Sequence, residues 1–382
     1  MRRLNRNMGL WMAGMALGLV VSANNASATS TIQESGSVLI FPKVFGTAAY
    51  DTLIEIVNTG NSMAHAKCFY VNAQRQGQWT VIDFDIWLTK QQPTHWIASS
   101  GRGTNIFDEF GSDGYGFDPG RVPPVPTGFR GELKCIQVDD SGSPLRANKL
   151  IGKATLIRNS DGDISSYNAV ALKGNPNNEV GNNDNTLELN NTEANQGEYD
   201  TCPTTITLSA LSEAVDDPVL EDLGDCTMGC PIDTTLTLVP CDQDLEAVQP
   251  SEVILNIFTY DEFETELSAT IVVDCWFNER LDASLFSGVF NRDTLGVYAR
   301  FIPGQGEGRV VGVAEEVRSD IGSVTTSAAA AFNLVAEGTR VCSDRTTAGR
   351  SGLACSSDED CPGGFCIDGG NDQIVIPLFE FD

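Results

Sequence analysis

Two histidines, His65 and His95, are the only imidazoles in the chain, and that count limits the catalytic chemistry open to it. No His-Glu-x-x-His helix motif and no Gly-x-Ser-x-Gly nucleophile elbow occurs, which removes the common metalloprotease and hydrolase templates. His65, in "SMAHAKC", reads as a residue flanking a strand. His95 lies in "LTKQQPTHWIASSG", where Gln92, His95 and Trp96 form a polar and aromatic cluster. That cluster runs directly into "SGRGTNIFDEFGSDGYGFDPGRVPPVPTG" (100–128), a glycine- and proline-rich stretch carrying Phe107, Phe110, Tyr115 and Phe117. A loop this long in a compact domain is usually a binding loop or disordered. Aromatic rings on such a loop can stack on sugar or peptide faces. The competing role for Trp96 is core packing at a structural turn. Paired carboxylates could run glycoside hydrolysis, and Glu315 with Glu316, or Asp83 with Asp85 on one strand face, are available. Among 52 acidic residues such adjacency says little. "GQGEGR" joins two strands with no helix to receive a phosphate, so it is no nucleotide loop.

The eleven cysteines carry the second kind of chemistry. Cys342, Cys355, Cys361 and Cys366 fall in "CSDRTTAGRSGLACSSDEDCPGGFC", which has almost no apolar side chains from which to build a core. Cross-links can replace a core, each contributing about 2 to 4 kcal/mol. Two disulfides are expected there, with three pairings open. The spacing fits a zinc site poorly. Asp358, Glu359 and Asp360 offer the hard oxygens that calcium takes, without the twelve-residue loop of its best-known site. Calcium is therefore the one ion suggested, and no cofactor is expected. Cys226 and Cys230 in "CTMGC" suggest a small local disulfide loop. Cys68 with Cys135, and Cys241 with Cys275, are candidate cross-strand or inter-sheet bridges. That assignment leaves Cys202 over.

The elements that would position these residues are strands. "SGSVLIFPKV", "DTLIEIVN" and "AHAKCFYV" are short β-rich runs between Gly, Asn and Ser clusters. "ATLIRNSDGDISSYNAVAL" predicts a hairpin turning at Asp161-Gly162, a dipeptide that supplies positive φ angles. "LGVYARFIPGQGEGRVVGVAEEV" reads as another hairpin. In "LSATIVVDCWF", alternation puts Ala269, Ile271, Val273, Cys275 and Phe277 on one face, so Cys275 should point into a core. "TSAAAAFNLVAEG" is ambiguous between helix and buried strand. "LIEIVNTGNSMAHAKCFYVN" and "ILNIFTYDEFETELSATIVVDCWFNER" share an order of strand, turn, strand, cysteine and two aromatics. A repeated β unit or chance would each produce this echo.

The chain opens with Arg2, Arg3 and Arg6, an apolar run from Met8 to about Val21, and small residues ending Ala26-Ser27-Ala28. This is the three-part pattern of a secretory signal peptide (1–28). Export also suits the cysteine count, because disulfides persist outside the reducing cytoplasm. The net charge is −28, and removing three leader arginines makes it more negative. So acidic a surface disfavours nucleic acid and anionic lipid as partners, and no membrane span is expected after cleavage.

The expected architecture is all-β, with two β-sandwich, immunoglobulin-like domains. Residues 29–175 form the first, with the long loop 100–128. An Asn-rich acidic linker (176–200) leads to the second (201–382), which carries insertions at 216–233 and 342–366. "VLIFPKV", "LTKQQPTHW", "KLIGKATLIRNSDGDISSYNAVAL", "TLTLVPCDQDLE" and "GVAEEV" together resemble an uncharacterised family of exported β-rich proteins from environmental bacteria. The resemblance implies export and β architecture, and brings no known activity. Function is expected to be structural or binding, in the cell envelope, periplasm or extracellular space, with a glycan or envelope protein as partner. The alternatives are a secreted hydrolase acting on polysaccharide and a self-assembling surface subunit that pairs its terminal strand "QIVIPLF" with a neighbour's edge. The sequence itself sets no oligomeric state.

Overall fold

The computed structural model describes residues 34–73, 80–103, 118–174, 185–189, 198–211, 232–249, 251–261, 263–281, 296–304, 308–318, 328–336, 340–342, 359, 366–368 and 372–377. No α-helix occurs among the described residues, and the chain is all-β, built as several open sheets.

The first unit comprises β1 (Val38–Gly46), β2 (Tyr50–Asn58), β3 (Ala64–Asn72), β4 (Thr80–Leu88), β5 (Pro93–Ile97), β6 (Phe129–Val138), β7 (Leu150–Arg158), β8 (Ile164–Asn168) and β9 (Val170–Leu172). All nine belong to one hydrogen-bonded sheet, but that sheet turns a corner. β1 pairs along its length with β6 and at its start with β9, and meets β2 only at Gly46↔Asp51. β2 then pairs with β5 and β7. The result is two wings, β4-β3-β6-β1-β9 and β5-β2-β7-β8. The first core draws on both wings: Leu39, Phe41, Tyr70 and Leu133 from one, and Ile54, Ile56, Trp96 and Leu156 from the other.

β2 alternates as a half-buried strand should, with Thr52, Ile54, Ile56 and Asn58 inward. β1 and β3 do not alternate; their residues are buried on both faces, save Asn72. The reason is a further layer. Strands β10 (Thr186–Leu189), β13 (Gln243–Asp244) and β23 (Asp372–Val375) form a three-stranded sheet in the order β10-β23-β13. Its Leu187, Leu189, Ile374 and the following Ile376 share a core with Val38, Ile40, Phe69, Val71, Ile136 and Val138.

The second unit has a five-stranded sheet, β15-β14-β17-β11-β20, made from β11 (Ile206–Leu211), β14 (Glu252–Asp261), β15 (Glu266–Asp274), β17 (Gly296–Pro303) and β20 (Val335–Ala336). Its four-stranded sheet, β16-β12-β18-β19, uses β12 (Ile232–Pro240), β16 (Phe277–Arg280), β18 (Val310–Arg318) and β19 (Ala328–Asn333). Leu208, Leu255, Ile257 and Phe301 from the first meet Leu236, Leu238, Phe277 and Ala314 from the second in one core. A pair of short strands, β21 (Arg340–Cys342) and β22 (Cys366–Asp368), completes the set, with Cys342 opposite Cys366 in the register.

Several sequence expectations are corrected. The β7–β8 hairpin forms, but across the four residues 159–162: Arg158 N–H donates to Asp163 O at 2.8 Å, and only Gly162 has positive φ (76°). "LGVYARFIPGQGEGRVVGVAEEV" is no hairpin. β17 and β18 lie in different sheets, so they are not paired with each other. The alanine-rich run resolves as edge strand β19, half exposed. The two halves of the cysteine echo differ in pairing: β14 pairs directly with β15, whereas β2 and β3 each pair with other strands. Within the expected linker, Thr186–Leu189 is strand β10. The terminal strand is taken up by its own chain, with β23 seated between β10 and β13.

Two disulfides are present among the described residues. Cys68–Cys135 joins direct register partners on β3 and β6, as the sequence suggested. Cys241 bonds Cys202, so Cys202 is not left over and the expected Cys241–Cys275 bridge is replaced. Cys275 is buried, as alternation required, but its φ of 64° kinks the chain between β15 and β16 and turns it into the junction core. Cys226, Cys230, Cys355, Cys361, Asp358 and Asp360 lie outside the described residues; Glu359 is exposed.

Candidate functional site: a groove at the root of the long loop

β5 is the far edge of its wing, and its alternation divides the predicted cluster. Thr94 and Trp96 point inward; Pro93, His95 and Ile97 point out. Trp96 is therefore packed in the core, and it also borders the groove described below. It is 2% exposed, packs edge-on to Phe84 at 5.8 Å, and donates its indole N–H to the Tyr70 hydroxyl at 2.5 Å. Burial holds the Tyr70 phenol well above its ordinary range, so it remains a neutral partner. Gln92 lies beside the turn into β5, where its carboxamide oxygen accepts from the Thr89 N–H at 2.7 Å. Phe107, Phe110, Tyr115 and Phe117 lie outside the described residues.

His95 and Gln92 do come together, on a groove of about 560 Å³ lined also by Leu53, Ile97, Ser100, Arg102 and Pro119. Cross-strand partners continue the outer face onto β2: Leu53 stands opposite Ile97, and Glu55 opposite His95. The groove thus offers an apolar floor beside imidazole, carboxamide, hydroxyl and guanidinium groups. Such a mixture suits a ligand with both apolar faces and hydroxyls.

The ends of the long loop are fixed at this groove. Arg102 and Val122 exchange backbone hydrogen bonds at 2.8 and 2.9 Å. The Arg102 guanidinium pairs with Asp118 at 2.7 Å and reaches Gly120 O at 3.1 Å and Thr94 Oγ1 at 3.3 Å. Asp118 in turn accepts from Gly120 N–H at 2.9 Å, and Trp87 N–H donates to Pro119 O at 2.9 Å. Gly101 is required here, because its φ is +62° and a Cβ would meet Val122 O at 2.4 Å. Sequence reasoning missed Arg102 and Asp118. Their opposite charges at the two ends of one glycine-rich stretch were the available signal.

The carboxylate pairs considered for hydrolysis are engaged elsewhere. Glu315 forms a buried ion pair with Lys43 at 2.7 Å and accepts from Ser165 Oγ at 2.8 Å. Glu316, on the opposite strand face, pairs with Arg318 at 3.3 Å. Burial depresses the Lys43 pKa, opposed by the neighbouring Glu315 charge and hydrogen bond. Asp85 bonds His65 Nε2 at 2.8 Å, and Asp83 lies 3.5 Å from Lys67. His65 stacks on Trp87 with centroids 4.4 Å apart, and its Nδ1 faces Asp139 O at 2.9 Å. It acts as a packed, hydrogen-bonded tie between β3, β4 and the turn after β6. Among the described residues, no Asp or Glu lines the groove, and none of the His, Cys, Asp and Glu residues cluster as a metal site.

No protein-family model and no curated protein matches the sequence. Among solved structures, the chain shares 9% identity with Thermotoga maritima 1070, over 37% of this chain and 98% of that one, with a TM-score of 0.23. It shares 10% identity with a lectin from Pleurotus ostreatus in complex with GalNAc, over 90% of this chain and 88% of that one, with a TM-score of 0.17. At these scores neither likeness bears on fold or function.

Proposed function

We propose that the protein is an exported binding protein of the cell envelope or extracellular space, made of two sandwich-like units of immunoglobulin type. Its ligand site is the groove between β5 and the root of loop 104–117. The observation that carries this reading is the pairing of the residues on either side of segment 104–117: the Arg102–Asp118 pair and the Arg102–Val122 backbone bonds hold the two ends of this aromatic-rich sequence beside an open groove. Binding residues placed on a loop over a rigid scaffold are a recurrent arrangement. The two disulfides support an oxidising compartment. No helix among the described residues is long and apolar enough to cross a membrane.

A glycan is the ligand class favoured by the mixed apolar and hydroxyl-binding lining. The test is retention on a glycan array by the secreted protein, compared with His95→Ala and with residues 104–117 replaced by a short Gly-Ser linker. His95 is exposed, so its replacement leaves the core intact. Saturable retention that falls about tenfold or more, equivalent to about 1.4 kcal/mol, in both variants supports the site. Retention unchanged in both sinks it. Release of a cleaved product would favour the hydrolase instead.

A further inference from the structure

The junction between the units holds a second charged group, deeper than the Lys43 pair. Glu132 and Lys134 are two residues apart on β6 and so share a face, the one turned toward the small sheet. Both side chains are 0% exposed. The Lys134 Nζ lies 2.7 Å from each Glu132 carboxylate oxygen, donates to the Gln243 side-chain carbonyl, and reaches Pro240 O at 3.3 Å. Gln243 is 1% exposed, and its Nε2 has no hydrogen-bond partner among the described residues. An amine, a carboxylate and a primary carboxamide thus meet in a dry pocket. The amide's leaving nitrogen is the one group there that is left unsatisfied.

We propose that Lys134 and Gln243 become joined by an intramolecular isopeptide bond, with Glu132 carrying the protons. Glu132 takes a proton from the Lys134 ammonium, freeing the Nζ lone pair. Nζ adds to Cδ of Gln243, one bond from the carbonyl oxygen it already contacts. The protonated Glu132 passes its proton to Nε2, the Cδ–Nε2 bond breaks, and ammonia leaves. Nζ gives up one further proton, which departs with ammonia as ammonium, and Glu132 is again a carboxylate. One C–N bond forms and one breaks, so no oxidant, reductant or activated co-reactant is needed. The arrangement has the parts this acyl transfer requires: a nucleophile held by its base, with water excluded from the bond that forms. The product loses the unpaired NH₂ donors from the buried site. It also ties β6 of the first unit to β13 of the small sheet, 109 residues apart in sequence.

The test is intact mass and peptide mapping of the purified, reduced and denatured full-length secreted protein, referenced to its observed N-terminal peptide. The expected result is a mass one ammonia below the composition, with a single branched peptide containing both Lys134 and Gln243. Glu132→Gln and Lys134→Met should each carry the full mass of their composition. A wild-type protein of full mass, with the Lys134 and Gln243 peptides separate, overturns the proposal without reference to any variant's folding. Loss of ammonia that persists in Lys134→Met overturns it equally, since the ammonia then comes from another amide.

Discussion

The Lys43–Glu315 pair permits a quantitative test of how the two units are joined. Its side chains are 1% and 5% exposed, and the contact spans β1 and β18, 272 residues apart. Glu315→Gln keeps an oxygen to accept from Ser165 but removes the countercharge from a buried ammonium. Lys43→Met leaves a buried carboxylate with Ser165 alone. Breaking a buried pair from one side costs about 3 to 5 kcal/mol, because the remaining charge is uncompensated. That is a large share of the roughly 5 to 15 kcal/mol that keeps a protein folded. The double variant buries neither charge, and replacing both members of such a pair by neutral groups is often close to neutral. The two substitutions should therefore be strongly non-additive: on these figures the double variant falls short of the summed single losses by about 6 to 10 kcal/mol, well above the usual coupling of residues in contact.

Urea unfolding followed by tryptophan fluorescence reads this directly. Trp276 sits at the same junction, donating its indole N–H to Pro42 O at 2.8 Å and packing edge-on to Phe45 at 6.1 Å. Losses that simply add, or single-variant losses under about 1 kcal/mol, would show that water reaches the pair and that the junction is looser than described.

Two further outcomes follow from particular contacts. Trp96→Phe deletes the indole N–H that donates to the buried Tyr70 hydroxyl and should lower stability by about 1 to 3 kcal/mol; a loss within error would contradict the placement of Trp96 in the core. Burial is the largest single influence on Asp139 and pushes its pKa up, but hydrogen bonds from the Ser141 hydroxyl and the Ser141 and Ser143 amides together outweigh it and hold the pKa below the ordinary value. A depressed carboxyl stabilises the fold above its unfolded pKa, and that contribution fades as pH falls through the lower native one. Asp139→Asn should accordingly flatten the stability curve below about pH 4, and an unchanged acid limb in the same urea assay would refute the reading.

Strand content was legible because alternation and turn residues are local signals. The same alternation already held the fate of Trp96, since any strand that sends His95 outward sends Trp96 inward. What local signals lack is the identity of a strand's neighbour. β17 and β18 carry the residues of a hairpin and even its glycines, yet they belong to opposite layers, which only pairing with β14 and β12 decides. Likewise Cys275 was readable as buried but not as kinked, because a positive φ at a non-glycine leaves no mark in the sequence. Glu132 and Lys134 share one face of β6, and both are buried because the small sheet lies over that face.

That covering layer bears on how the groove can work. β5 is one edge of its wing, and β8 is the other. β8 meets the second unit, where Asn168 and Asn333 exchange hydrogen bonds of 2.7 and 3.1 Å. The groove therefore lies at the other edge of that wing from the strand that meets the second unit, while Lys43, Lys134 and the Cys202–Cys241 disulfide lie at the junction. A ligand seated at β5 would be held by the first unit alone. Force applied there would pass through the paired strands β2 and β7 to the junction before reaching the second unit. The buried Lys43–Glu315 pair bridges β1 and β18 at that junction, whereas every described residue lining the groove belongs to the first unit.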